Sequence, residues 1–213
     1  LGVGREDLMR IGLIGDLHGE TDAVIEWMER TEPDFCLQVG DYWKPCYDTA
    51  WPVPLYWIFG NHEMGSYVRA LIDGTHQEPI NNHWLMGGAV DIHGVTVMAL
   101  PGLPSAGSGF GPASFPPNVY SLCWEQAEES KVDIFISHGA AFPFWHFTWD
   151  PVLNKRARIN FEEPEITELV RRVHPTHAVS GHNHRFADEE FEGVHCIRLG
   201  MSPRNFTHMI EVG

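Results

Sequence analysis

Five short apolar runs in this chain each stop at a glycine or serine and then present a polar side chain of the kind that binds cations. Ile11 to Ile14 leads into Gly15-Asp16-Leu17-His18-Gly19, Phe35 to Val39 into Gly40-Asp41, and Leu55 to Phe59 into Gly60-Asn61-His62-Glu63. Ile134 to Ile136 leads into Ser137-His138-Gly139, and Ala178-Val179 into Ser180-Gly181-His182-Asn183-His184. Short continuous apolar runs read as parallel strands buried on both faces, and in open α/β sheets the carboxyl ends of such strands border the ligand crevice. The pattern predicts an α/β fold in which five strand ends deliver Asp16, His18, Asp41, Asn61, His138, His182 and His184 to one rim. So many polar groups at strand ends are costly to bury unless a cation compensates them. A lone His-x-His means little among thirteen histidines; the company of the other four ends makes His182 and His184 a metal-site candidate.

The intervening segments supply the scaffold. Thr21 to Arg30 shows a helical apolar face at Ala23, Val24, Trp27 and Met28, so the first motif reads as β-loop-α. Tyr42 to Pro54, with three Pro and four Trp or Tyr, is expected to be an ordered rim loop, and Ser66 to Ile72 a short helix. From Trp84 to Leu100, short runs broken by Gly87-Gly88 and His93-Gly94 predict antiparallel hairpins and a second or mixed sheet. Pro101 to Pro117 reads as a long loop bordering the site. Ser121 is expected to cap a helix from Leu122 to Ser130, and Pro164 to open one from Glu165 to Val173. Phe186 to Phe191, Val194 to Leu199 and Phe206 to Val212 complete the strands. Of the 213 residues, 1–9 are expected to be a tail, with Met9-Arg10 a natural start, and 10–213 a single domain.

Composition narrows the function classes. No apolar run approaches the length of a membrane span and no signal peptide precedes the first strand, so a cytoplasmic protein with no membrane partner is expected. Cys36, Cys46, Cys123 and Cys196 lack Cys-x-x-Cys spacing and read as reduced, buried thiols. A formal charge of −15 disfavours nucleic acid as a partner, since duplex binding rests on Lys and Arg neutralising phosphates. It does not exclude a small anionic substrate, because bound dications neutralise part of that charge.

The donors are hard carboxylate and amide oxygens mixed with imidazoles, without thiolates, which points to Mn, Fe or Zn ions. Seven ligands suffice for two divalent or trivalent ions if Asp41 bridges them, its carboxylate having two oxygens. Two-metal centres bind phosphoryl oxygens and lower the pKa of a bridging water toward ~7, which suits in-line displacement at phosphorus. His62, beside the amide ligand Asn61, is then available to act on the substrate.

In order, Asp16-x-His18, Gly40-Asp41, Gly60-Asn61-His62-Glu63, Ser137-His138 and Gly181-His182-x-His184 resemble the five motifs of the calcineurin-like metallophosphoesterases, over residues 11 to 184. The resemblance implies a four-layer α/β/β/α sandwich of two mixed β-sheets flanked by helices. It implies that Asp16, His18, Asp41 and His184 hold one metal and Asp41, Asn61, His138 and His182 the other. It also implies that His62 contacts the phosphoryl oxygen and protonates the leaving alcohol. Lys44 and Pro45 stand where phosphoprotein phosphatases of the superfamily continue to an Asp and an Arg, so the group that orients His62 stays open. Purple acid phosphatases place a Tyr ligand at the position of Lys44 and lack the counterpart of His18.

The expected activity is hydrolysis of a phosphomonoester or phosphodiester of a small or nucleotide-like substrate. The alternatives are a nuclease or RNA-processing phosphodiesterase and a non-catalytic protein-binding module on the same fold. The segment from Phe142 to Trp149, followed by Lys155, Arg156 and Arg158, reads either as core packing or as a lid whose rings stack on a base, with Trp145, Trp149 and Arg156 as substrate contacts. Tyr42 and Trp43 read either as rim contacts or as core anchors.

Overall fold

A computed structural model describes residues 8–103, 118–150, 155–161, 163–201 and 205–213, the stretches 144–150 and 155–161 by backbone alone. In chain order the first half comprises β1 (Met9–Ile14), α1 (Asp22–Thr31), β2 (Phe35–Gln38), β3 (Leu55–Trp57), α2 (Gly65–Ile72), β4 (Asn82–Trp84), β5 (Gly88–Ile92) and β6 (Val95–Leu100). The second half comprises α3 (Val119–Glu129), β7 (Ile134–Ser137), β8 (Phe144–Asp150), β9 (Lys155–Phe161), α4 (Pro164–Val173), β10 (His177–Ser180), β11 (Ala187–Phe191), β12 (Val194–Arg198) and β13 (Thr207–Val212).

Two mixed sheets result. One has the order β13-β1-β2-β3-β4, parallel except for β13; the other has β11-β12-β10-β7-β6-β5, with antiparallel edges at β11 and β5. Strand alternation explains the layering. Ile11, Leu13 and Leu37 from one sheet meet Val97, Ile136, Val179 and Ile197 from the other in a shared inner core. The opposite faces of the same strands take the helices: Val24 and Met28 of α1 and Val68 of α2 pack on Ile14, Cys36 and Trp57, while Ile166 and Leu169 of α4 pack with Cys123 of α3 on Phe135 and Ala178. This is the four-layer α/β/β/α sandwich. Both faces of the central strands are buried, which is why their sequences run apolar without alternating. Truncating an inner-core residue such as Leu13 to Ala would cost ~2–5 kcal/mol.

Helix ends follow local chemistry. Pro164 occupies the first turn of α4, Glu165 follows in that turn, and Arg171 and Arg172 lie in the last, signs that complement the helix dipole. The four cysteines are free and buried, and burial pushes the Cys123 thiol up to about 11.

Three expectations are corrected. The strand expected from Trp84 to Met86 is β4, which begins at Asn82 and pairs parallel with β3 instead of joining a hairpin; β5 and β6 form the antiparallel hairpin expected beyond it. The start of β4 is polar because the Asn82 side chain pins the rim loop, donating to the Cys46 and Thr49 carbonyls at 3.0 Å and accepting from the Tyr42 hydroxyl at 3.1 Å. Ser121 lies inside α3; the helix starts at Val119 because Asn118, left-handed at φ 69°, turns the chain there and Leu122 N donates to its carbonyl. The segment between Ala140 and Pro164 is not a plain loop. Aromatic residues alternating with Thr and His favour extended backbone, and β8 and β9 form an antiparallel ribbon with Trp149 opposite Arg156 and Trp145 opposite Asn160. The tail up to residue 7 and most of the expected loop, residues 104–117, lie outside the described residues, and β1 already includes Met9.

Candidate metal centre

All five motifs lie where β1, β2, β3, β7 and β10 end, three strands from one sheet and two from the other. On continued strand geometry Asp16 and His18, two residues apart, would share a face but stand ~6.5–7 Å from one another, too far for short donor atoms to meet at one ion. The chain breaks the pleat with left-handed residues: His18, Asp41, Trp43, His182 and His184 have φ of 47°, 53°, 61°, 66° and 53°. Non-glycine residues adopt such values at a cost, and their concentration at one rim marks a built site.

Asp16, His18, Asp41 and His184 each bring a donor atom within 4.8 Å of all the others. His184 Nε2 lies 3.1 Å from Asp16 Oδ2, His18 Nε2 lies 3.6 Å from Asp41 Oδ2, and the two Nε2 atoms are 3.3 Å apart. On its other oxygen, Asp41 Oδ1 is 3.4 Å from His138 Nε2, which is 2.8 Å from Asn61 Oδ1. The rings of His138 and His182 have centroids 5.0 Å apart. Asp41 therefore touches two groups of donors, one through each oxygen.

These donors fit cations better than they fit each other. The Asp16 and Asp41 Oδ2 atoms are buried without a hydrogen bond, which is costly for a carboxylate. The Val39 carbonyl accepts from His138 Nδ1 at 2.9 Å, which leaves Nε2 of the neutral ring as a lone pair facing the oxygens of Asn61 and Asp41. Facing lone pairs call for a proton or a metal between them. The titration directions agree. Burial opposes a charge on His138, yet the carboxylates of Asp41 and Asp16 hold its pKa above the usual imidazole value. Burial likewise opposes the charge on Asp41, and the imidazoles of His138, His62 and His18 hold it down. Burial, with His138 beside it, drives His182 down to about 4, so this ring is neutral at pH 7.

A second set of side chains, without a role in the sequence reading, holds the loops. Gln38 is wholly buried and donates to the Gly15 carbonyl at 3.1 Å while accepting from Gly40 N at 3.0 Å, which clips the first motif to the second. Glu63 accepts from Tyr42 N and from Gly60 N, both at 2.6 Å, and so ties the backbone beside Asp41 to that beside Asn61. Burial and the Asp41 charge raise its pKa. The motif backbones press on the two carboxylates: a Cβ at Gly60 would lie 2.5 Å from Asp41 Oδ1, and one at Gly181 would strike Asp16 Oδ1. The C-terminal segment also reaches the centre, through Gly15 N donating to the Phe206 carbonyl at 2.6 Å and an isolated bridge between Asp16 and Met201. Only Gln38 had a visible signal, a polar residue inside an apolar run.

His62 is exposed at the mouth, its backbone N–H donating to Asp41 Oδ1 at 3.0 Å and its ring 5.5 Å from that of His18. No side chain among the described residues hydrogen-bonds its imidazole. Trp43 is 42% exposed and T-shaped against His18, 6.0 Å between ring centroids. Tyr42 is not a rim contact: it is wholly buried, stacked on Trp57, its hydroxyl bonded to Asn82 and Trp51. The side chains of Trp145, Trp149 and Arg156 lie outside what is described.

The family model for calcineurin-like phosphoesterase matches residues 9–186 of the chain. A search of curated proteins by sequence gives no match. Three solved structures share the fold at low identity. A putative 5'-nucleotidase from Staphylococcus aureus superposes with TM-score 0.60 at 15% identity, covering 91% of this chain and 49% of its own. A novel archaeal phosphodiesterase gives 0.50 at 12%, covering 96% and 100%. GAP50, described as the anchor in the inner membrane complex of Plasmodium, gives 0.54 at 12%, covering 91% and 71%.

Proposed function

This chain belongs to the calcineurin-like phosphoesterases, and from that premise we propose that it hydrolyses a phosphomonoester or phosphodiester of a small, nucleotide-like substrate at a centre of two metal ions. The observation that carries this reading is the convergence of the Asp16, His18, Asp41 and His184 donors, with two buried carboxylate oxygens that make no hydrogen bond. Asp16, His18, Asp41 and His184 would hold one ion; Asp41, Asn61, His138 and His182 would hold the other. Bound ions of this class supply positive charge for phosphoryl oxygens and a water acidic enough to ionise near neutral pH. His62, exposed at the mouth, orients the phosphoryl group and gives a proton to the departing ester oxygen. Trp43 walls the mouth beside His18. The ribbon of β8 and β9, with Trp149 opposite Arg156, is the proposed contact for a flat base. Likeness to a 5'-nucleotidase and to a phosphodiesterase supports both ester classes.

The test is hydrolysis of p-nitrophenyl phosphate and bis-p-nitrophenyl phosphate by chelator-stripped protein, before and after adding Mn²⁺, with His62→Ala in parallel. Cleavage restored by metal and lowered ~10²–10⁴-fold in the variant is the expected outcome, and the preferred ester then selects between monoesterase and diesterase. Likeness to GAP50 motivates a second reading, a binding module without turnover. Metal binding without hydrolysis of these esters or of nucleotides would select it.

A further inference from the structure

Inner-face positions of the sandwich are apolar almost throughout, and the flank between β11 and β13 is an exception. Along β10 and β12, His177 and His195 lie two residues from Val179 and Ile197, which belong to the inner core, so alternation puts both histidines on that inner face. Asp188 of β11 pairs with Ile197, and His208 of β13 pairs with Leu13, so they share the same inner faces. Three imidazoles and a carboxylate thus stand at the open edge of the inter-sheet layer, where the chain elsewhere places Ile, Leu and Val.

The contacts are close. His177 and His195 are register partners in adjacent parallel strands, their ring centroids 5.0 Å apart. His195 Nε2 and Asp188 Oδ1 form a hydrogen bond of 2.6 Å. Phe186, just before β11, meets the His208 ring at 5.8 Å and brings β13 against this edge. His177 Nδ1 is buried without a hydrogen-bond partner. Burial, with His195 beside both rings, lowers the pKa of His177 and of His208, so both offer neutral nitrogens at pH 7.

We propose that His177, His195, His208 and Asp188 form a second metal site on this flank, separate from the rim centre and selective for a borderline divalent cation such as Zn²⁺. Three imidazoles and one carboxylate are a donor set for tetrahedral zinc, and Asp188 orients His195 through the hydrogen bond in the way that outer carboxylates orient ligating histidines, or enters the coordination itself. Unliganded, these donors are spread more widely than the four at the rim; binding gathers them by rotating the imidazoles on fixed strands. Because its ligands come from β10, β11 and β12 of one sheet and β13 of the other, the ion would staple the two sheets together at their open edge. The proposal is independent of the reaction at the rim.

The test counts zinc bound per chain after equilibrium dialysis and records the melting temperature with and without Zn²⁺. His177→Gln/His208→Asn should bind one equivalent fewer than the unmodified chain and lose part of its zinc-dependent rise in melting temperature, with phosphoester turnover unchanged. Asp16→Asn/Asp41→Asn, disabled at the rim, should still bind one equivalent. An unchanged zinc count in a folded flank variant would overturn the site. Should that variant fail to fold, the rim variant decides: one equivalent retained, and lost again on adding His195→Asn, supports it, and none retained overturns it.

Discussion

The rim centre and the flank cluster both gather imidazoles around a carboxylate, but they are built by opposite means. At the rim the candidate ligands follow strand ends, and four of them, His18, Asp41, His182 and His184, take left-handed φ. On the flank His177, Asp188, His195 and His208 remain within strands, held in register by ladder hydrogen bonds. Leaving the pleat lets neighbouring residues aim at one point, so the rim donors come within 4.8 Å of one another. Keeping it sets the backbone spacing at that of strand neighbours, so the flank side chains must turn about their own bonds to meet at one point. The proposed hydrolysis would need the former; the proposed link between the sheets would be served by the latter.

The largest expected effects strike the rim and spare the flank. Asp41→Asn and His138→Ala should each reduce metal-dependent turnover to background while circular dichroism stays native; residual turnover near the parent value would remove Asp41 as the bridge between the donor groups. Next, Glu63→Gln weakens the clip between the Asp41 and Asn61 loops without touching the substrate. A loss of ~10–100-fold in metal affinity or activity is expected, read as a shifted Mn²⁺ activation curve; an unshifted curve would show that the loops hold without it. Smaller still, Trp145→Ala/Trp149→Ala should raise KM for a nucleotide several-fold while leaving that for p-nitrophenyl phosphate in place, and equal effects on both would rule out base stacking by the ribbon.

The smallest effect belongs to the flank and is read in pH. Burial lowers the pKa of His177 and His208 below the ordinary 6.5. Between that value and the lowered ones the unfolded chain binds more protons, so stability falls as pH drops through about 6.5 and levels off beneath the folded values. His177→Gln/His208→Asn should flatten the melting temperature between about pH 7 and pH 5, measured without metal; an unaltered slope would assign the pH dependence to other groups.

The same contrast explains what the sequence disclosed. The candidate ligands at the rim sit in contiguous motifs after apolar runs, and glycines such as Gly60 and Gly181, required by close approach to Asp41 and Asp16, punctuate them. Both the strands and the rim were therefore legible. Gln38 and Glu63 were harder, because their work is done through backbone groups brought near only by folding. The flank was illegible: His177, His195 and His208 each stand alone in a strand, and strand order alone makes them neighbours. Polar Asn82 concealed β4 for a related reason, since its partners Tyr42 and Cys46 lie more than thirty residues upstream. Tyr42 stayed open between rim and core because a tyrosine following a candidate ligand suits either, and the structure buries it.

The pairing of Met9 with Val212 across β1 and β13 leaves the first and last described strands side by side. A short linker would span them, so the order of the polypeptide can be rewritten, with new ends at the Glu192–Gly193 turn between β11 and β12. Such a permuted chain would keep all five motifs in place while the segment after residue 193 preceded the first of them. What the rim requires is the arrangement of strand ends in space, and the order in which they are synthesised is free to change.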